Sequence, residues 1–250
     1  QDFNRFTSYL KFVTFMRGGF DGVNILDQAA HRMNDRSTSF DLNGGASSGF
    51  ISPSFTTAMQ GTGQTNSTVS SYRTAIDIMT DALTVNVNIL SIPDIREPFL
   101  TNYAAKKAHD YGFSLYLMDI PGYDESANRL FYDVLPLARP DIKQTSTNFS
   151  SRAIDNNYAA TYFPDVFMND TTNNRRVRVP ATVAALGALG FNDRVSYPWF
   201  APAGFNRASL DFVTNVMVRL NTDDRDTLYD ARINPIATFP REGFVIWGQK

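Results

Sequence analysis

Two aspartates, Asp94 and Asp119, are the residues whose positions in this sequence could support chemistry. Each follows a short apolar run of strand length. If the two runs are parallel strands of one sheet, both carboxylates lie at its carboxyl edge, where open α/β sheets bind ligands. Asp119 would then be a metal ligand or a general base, with Asp94 or Asp124 beside it. The alternative, which we favour, is a turn at 119–122 that Asp119 stabilises by bonding its own backbone.

Other patterns typical of enzymes are absent or incomplete. The two histidines, His31 and His109, have no Gly-x-Ser-x-Gly elbow near them. The loop at 61–64 lacks the Lys-Ser/Thr of a phosphate-binding loop. Residues 221–226 resemble a calcium loop, but Asp226 stands where that loop needs glycine, so we interpret them as the start of a helix. The chain has no cysteine, which excludes disulfides and thiolate chemistry. We therefore expect no enzymatic activity and no cofactor.

The compact basic cluster of the sequence consists of Arg175, Arg176 and Arg178. On a strand, alternation would place Arg176 and Arg178 on one face. A solvent-exposed hairpin explains the cluster, and contact with a neighbouring subunit is the alternative, so all three are candidate subunit contacts. The net charge of −2 gives no footprint for nucleic acid or an anionic membrane. No stretch approaches the roughly 20 apolar residues of a membrane span. We expect neither direct nucleic-acid binding nor membrane insertion.

The elements that must position these residues alternate between helix and strand. Between residues 69 and 118, the periodicity predicts a helix whose buried face includes Leu83, a strand at 85–90, a helix at 97–111 and a strand at 113–118. Such a βαβ pattern requires a parallel strand pair. Further along, we predict a helix at 145–154, an extended stretch at 158–168, a hairpin tip at 170–174 leading into 175–179, a helix at 180–189, a strand at 210–220, a helix capped by Thr222, and strands at 233–239 and 244–247.

These elements predict a mixed α/β fold. A mixed sheet would contain the βαβ unit flanked by helices, and additional antiparallel strands would accompany it. We divide the chain into an α/β subdomain at 1–179, with a strand at 7–16 and a Gly/Ser/Thr/Asn-rich surface excursion at 28–68, and a segment at 180–250 that packs on it. The first residue is not Met, and the N-terminus does not resemble a signal peptide. We therefore expect a fragment of a longer protein.

The last seventy residues carry the most specific pattern. A proline-led helix of small residues precedes a Trp near Ala-Pro-Ala, an Arg-Ile-Asn step and a closing Val-Ile-Trp-Gly. This order resembles the tail sheath family of contractile-tailed bacteriophages, and the chain departs from it at Gly204, where Asn is common, and at Gln249-Lys250, where Arg-Thr is usual. The residues that carry the resemblance are Gly18, Gly19, Asp21, Gly22, Asp119, Pro121, Pro180, Trp199, Ala201, Pro202, Asn234, Trp247 and Gly248.

The resemblance implies a structural subunit without catalytic residues. Sheath subunits stack as rings around a tube on a baseplate, and they contract by sliding and rotating as near-rigid bodies, without nucleotide. The implied partners are other copies of the chain, the tail tube protein, the baseplate and the tail terminator. The implied location is the virion tail, assembled in the host bacterial cytoplasm. The family links neighbours through exchanged terminal strands, and we expect this chain to lack those linking arms and to stay monomeric.

Two other functions remain open at this point. A metal-dependent α/β hydrolase would use Asp94 and Asp119. A ligand-binding module would use the aromatic-rich stretch at 158–168. A bound divalent ion between the two carboxylates would favour the hydrolase, and tight binding of a small molecule would favour the binding module.

Overall fold

The computed structural model describes residues 67–127, 130, 139–197 and 199–250. The predicted strand at 7–16, the Gly18–Gly22 turn and nearly all of the excursion at 28–68 lie outside the described residues. The helices are α1 Ser67–Met79, α2 Pro98–Tyr111, α3 Ile142–Ser150, α4 Ala181–Val195 and α5 Thr222–Asp230. The strands are β1 Ile89–Ser91, β2 Leu115–Met118, β3 Ala159–Phe163, β4 Val166–Asp170, β5 Arg175–Val179, β6 Val213–Val216, β7 Asn234–Phe239 and β8 Gly243–Ile246.

These strands form two sheets. The larger one has the order β1-β2-β3-β7-β8, in which the first four strands are parallel and β8 is antiparallel to β7. The smaller sheet is antiparallel, with the order β5-β4-β6. The predicted mixed α/β fold is therefore confirmed, as is the parallel β1-α2-β2 unit. Since β7 pairs with β3, the predicted segments 1–179 and 180–250 share one sheet, and their separation into two units stays a prediction.

Helices cover both faces of the larger sheet because its central strands alternate buried side chains. Leu117 points into a core shared with α4, while Tyr116 and Met118 point into a second core shared with α2, α3 and α5. The alanine-rich face of α4 packs closely on the sheet, since its small side chains allow a near approach. A third cluster joins α1 to α2 through Val69, Ile95 and Leu100.

Several predicted boundaries were wrong. α1 ends at Met79, and Leu83 is 95% exposed. The extended stretch at 158–168 is two strands in different sheets, because Pro164 has no N–H with which to continue the ladder. The cap of α5 is Asn221, one residue before the predicted Thr222, and it forms a capping box with Asp224. The strand predicted at 210–220 is limited to β6.

Other predicted bounds were closer to the structure. The predicted strand at 85–90 overlaps β1 only at Ile89 and Leu90, and the predicted helix at 145–154 overlaps α3 over residues 145–150. The helix predicted at 180–189 continues to Val195, with Pro180 at the N-cap. The helix at 97–111 ends as predicted at Gly112, whose φ of 73° suits glycine at a helix C-terminus.

Candidate functional site

The structure brings Asp94 and Asp119 together at the carboxyl edge of the parallel strands. Asp119 is 2% exposed, and its Oδ2 accepts a hydrogen bond from the backbone N–H of Asp94 at 2.9 Å. Its oxygens also accept from Thr182, at 3.2 Å from the backbone N–H and 2.8 Å from the hydroxyl. Thr182 lies in the first turn of α4, where backbone N–H groups lack partners within the helix. The carboxylate thus ties the edge of the sheet to a helix N-terminus, which corrects the expectation that it bonds its own turn.

Two arginines neutralise the carboxylates around Asp119. Arg96 Nη2 lies 2.9 Å from Oδ2 of Asp165, and its other terminal nitrogen contacts Asp94. Arg178 Nε lies 3.2 Å from the same oxygen of Asp165, and its Nη2 lies 3.8 Å from Asp94. The arginine side chains are only 6% and 7% exposed. We call Asp94, Arg96, Asp119, Asp165 and Arg178 the buried charge cluster.

The buried charge cluster changes the interpretation of the basic hairpin. Arg178 was expected on an exposed strand face beside Arg176, as a candidate subunit contact. Its guanidinium instead turns inward, where ion pairs with Asp165 and Asp94 occupy it within the same chain. Arg175 and Arg176 are exposed, and the guanidinium of Arg176 lies 4.7 Å from the centre of the Phe167 ring. Contact of these arginines with a neighbouring subunit stays a prediction.

Electrostatics in the cluster favour a structural role. Burial raises the pKa of Asp119 to about 6; the charge of Arg96 opposes this rise, and that of Asp165 adds to it. No group of three or more His, Cys, Asp or Glu side chains that could hold a metal ion occurs in the described part of the chain. The guanidinium groups also repel a divalent cation from the carboxylates. Asp124 binds the backbone of Ser126. The arrangement gives no support to a metal-dependent hydrolase.

Three members of the cluster were candidates from the sequence, although Arg178 was named only as a subunit contact, and the other two members and Thr182 were missed. Arg96, Asp165 and Thr182 carry no motif of their own. Arg96 and Asp165 nevertheless lie in the loops that follow β1 and β3, which places them at the same sheet edge as Asp94 and Asp119. A search for opposite charges just beyond successive parallel strands would have found them, because the ends of such strands converge.

The other chemistry-bearing stretches lie apart from this cluster. His109 is exposed on α2, and its ring meets the edge of Tyr158. In the stretch at 158–168, residues 160–163 are buried in the sheet, so they offer no open surface for a ligand. His31 lies outside the described residues. Within the described ranges, no helix is both long enough and apolar enough to span a membrane.

The proline- and alanine-containing part of the motif forms a loop beside α4. Pro180 precedes that helix, and Pro121, at the cluster end of the sheet, is buried. Pro202 is buried, whereas Ala201 is exposed. Trp199 is 76% exposed, and its ring stacks on Tyr197 with 4.8 Å between centroids.

The closing part of the motif holds the last residues of the chain against β7. Buried Asn234 binds the backbone of Lys250 twice: its Oδ1 accepts from the N–H at 2.7 Å, and its Nδ2 donates to the carbonyl at 3.2 Å. Trp247 is 42% exposed and contacts Phe205 and Phe239. A Cβ added to Gly248 would lie 3.0 Å from the Tyr229 ring, so this position has little room for a side chain.

The departure at Gly204 has a backbone explanation. Its φ is +84°, in the left-handed region that glycine adopts without strain. Asparagine tolerates this region better than most other residues do. Glycine and asparagine are therefore both suited to the backbone of this position.

The chain is similar in sequence to two known proteins. No family model matches the chain. Over 110 residues it is 37% identical to the tail sheath protein of Vibrio phage KVP40, and over 106 residues it is 31% identical to that of Enterobacteria phage T4. These matches span 44% and 42% of the chain but only 15% and 16% of the length of the two relatives.

Two solved structures are also similar to the chain. The helical sheath of the anti-feeding prophage in its contracted state has a TM-score of 0.48 at 21% identity, covering 72% of this chain and 42% of that one. The baseplate of the same particle has a TM-score of 0.42 at 20% identity, covering 65% and 37%. The similarity to the tail sheath proteins of the two phages confirms the resemblance to contractile tail sheath proteins that the closing motifs indicated.

Proposed function

We propose that this chain is part of the structural subunit of a contractile phage tail sheath. The observation that carries the proposal is the 37% identity over 110 residues to a tail sheath protein. In this function the subunit polymerises around the tail tube, and contraction drives the tube through the host envelope for genome delivery. The subunit's partners are other copies of itself, the tail tube protein, the baseplate and the tail terminator. It is assembled in the host cytoplasm and resides in the virion.

The buried charge cluster supports a subunit that moves as one body. Its members come from the ends of β1, β2 and β3, and from β5 of the smaller sheet, so their ion pairs join the two sheets. Separating the sheets would break the ion pairs of Arg178 with Asp165 and Asp94, and losing buried pairs of this kind costs several kcal/mol. A subunit of this kind passes from one lattice to another by exchanging surface contacts while its interior is retained. We infer that the work of contraction comes from the difference in packing between the two lattices, without catalysis or a cofactor.

Electron microscopy of the full-length protein, expressed alone and purified, tests this function. We expect tubular polymers of regular diameter, because a sheath subunit carries the contacts for its own lattice. Adding purified tail tubes should shorten the lag before polymers appear. Protein that stays dispersed at all concentrations, with and without tubes and baseplates, would contradict the proposal.

A further inference from the structure

An exposed aromatic surface lies on the side of the molecule formed by residues 195–207 and the end of β8. We define the aromatic face as Tyr197, Trp199, Phe200, Phe205 and Trp247. Each of these residues is at least 39% exposed, and Trp199 and Tyr197 reach 76% and 60%. Isolated exposed aromatic residues are common, but a contiguous group of them marks an interaction site. The five residues are contiguous through ring contacts and through a shared cleft.

The cleft gives the aromatic face its shape. It has a volume of about 580 Å³ and is lined by Phe200, Phe205 and Arg207, among others. Tyr197 stacks on Trp199 and also contacts Phe200 of the cleft lining, while Trp247 contacts Phe205 of the lining, with 5.1 Å between ring centroids. Tryptophan, tyrosine and arginine are the residues that contribute most binding energy at protein interfaces. The combination suits a protein partner.

The charge of the aromatic face is positive. The guanidinium of Arg207 lies 4.9 Å from the centre of the Phe200 ring. The exposed Arg194, whose guanidinium lies over the Phe191 ring, directly precedes Val195 of the cleft lining. The residues that line the cleft include Arg207 and no carboxylate. Within the part of the chain that the structure describes, neither arginine makes an ion pair. A partner with an acidic surface would complement this charge.

The chain itself carries such a surface on α5. Asp223, Asp226 and Asp230 are exposed, and their spacing of three and four residues places them on one side of the helix. Leu228 anchors the opposite side of α5 in the core, so the acidic side faces outward. The acidic side of α5 and the aromatic face are different patches of one subunit. A contact between unlike patches can repeat head-to-tail from one subunit to the next, the type of contact that builds rings and helical polymers.

We propose that the aromatic face is the docking surface for α5 of a second copy of this chain. The inference rests on the proposed sheath function and identifies one of its subunit contacts. In the contact, Trp199 and the cleft supply buried apolar area, while Arg194 and Arg207 face the three aspartates.

Charge reversal in the full-length protein tests the contact. We expect Arg207→Glu with Arg194→Glu to raise the concentration needed for half-maximal polymer formation at least about tenfold, measured by light scattering and electron microscopy. Asp226→Arg with Asp230→Arg should have a similar effect. Combining all four substitutions should restore most of the assembly, because the complementary charges are then exchanged. Asp110→Arg, on an exposed part of α2, is the matched control and should leave assembly unchanged.

The outcomes separate this inference from the sheath function. If the wild-type protein forms tubes and both reversed variants do so at the same concentration, the docking contact is wrong and the sheath function stands. If the wild type forms no polymer, the sheath function itself fails. If Trp199→Ser lowers the melting temperature of the unassembled protein by several degrees, another segment of the same chain covers the face, which also overturns the contact. If the fourfold variant forms polymers nearly as well as the wild type while both twofold variants do not, the docking contact is supported.

Discussion

The buried charge cluster and the aromatic face invert the usual distribution of residue types. In the cluster, charged groups lie in the interior, and hydrogen bonds or ion pairs engage each of them. On the aromatic face, large apolar rings lie at the surface, and Trp199 is 76% exposed. Charged groups that are buried and paired serve the fold, whereas exposed aromatic rings are available to a partner. The function of this chain is therefore to be sought on its surface, although the carboxylates at the end of its parallel strands lie inside.

Breaking an ion pair of the cluster should have the largest effect. Arg178→Met removes a guanidinium from two buried carboxylates, and we expect the free energy of unfolding to fall by about 3–5 kcal/mol. Denaturant unfolding of this chain measures the change. Arg176→Met is the control, since it removes an exposed arginine two residues away on the same strand, and it should cost less than about 1 kcal/mol. Equal losses of unfolding free energy in both variants would contradict a stabilising role of the buried ion pairs.

The cluster should also make stability depend on pH. The pKa of Asp119 is about 6 in the folded chain, above its ordinary value of 3.8. The folded state therefore holds this proton more tightly than the unfolded state does. Protonated Asp119 contributes up to about 3 kcal/mol to the free energy of unfolding, fully below about pH 4, and this contribution is lost as the pH rises to about 6. Unfolding of the wild type and Asp119→Asn between pH 4 and 7.5 checks this. The wild type should lose stability relative to the variant across that range, and a constant difference would contradict the assignment.

Substitution on the aromatic face should have the smallest effect on the single chain. Trp199→Ser removes a ring that contacts chiefly Tyr197, so we expect the free energy of unfolding to change by no more than about 0.5 kcal/mol. Thermal unfolding of the unassembled chain measures it. A loss comparable with that of Arg178→Met would erase the contrast between the two regions.

Patterns with a strict period were predictable from the sequence. The helix at 97–111, the hairpin at 170–179 and the closing strands were found because their apolar spacing or turn residues are local signals. The meeting of Asp94 and Asp119 was also predictable, since parallel strands end at one edge. The inward orientation of Arg178 was not predictable, because it depends on Asp165, which lies between β3 and β4 and not on the strand of Arg178. Likewise, Leu83 fitted the helical period, but α1 ended one turn earlier, where no core remained to bury it.

The double hydrogen bond between Asn234 and Lys250 has a mechanical consequence. A pull on the backbone at Lys250 loads two bonds that lie side by side, so they share the tension instead of parting one after the other. The load passes to β7, which is an inner strand of the five-stranded sheet with neighbours on both sides. Force applied at this point would therefore be spread across the sheet and would not peel away an edge.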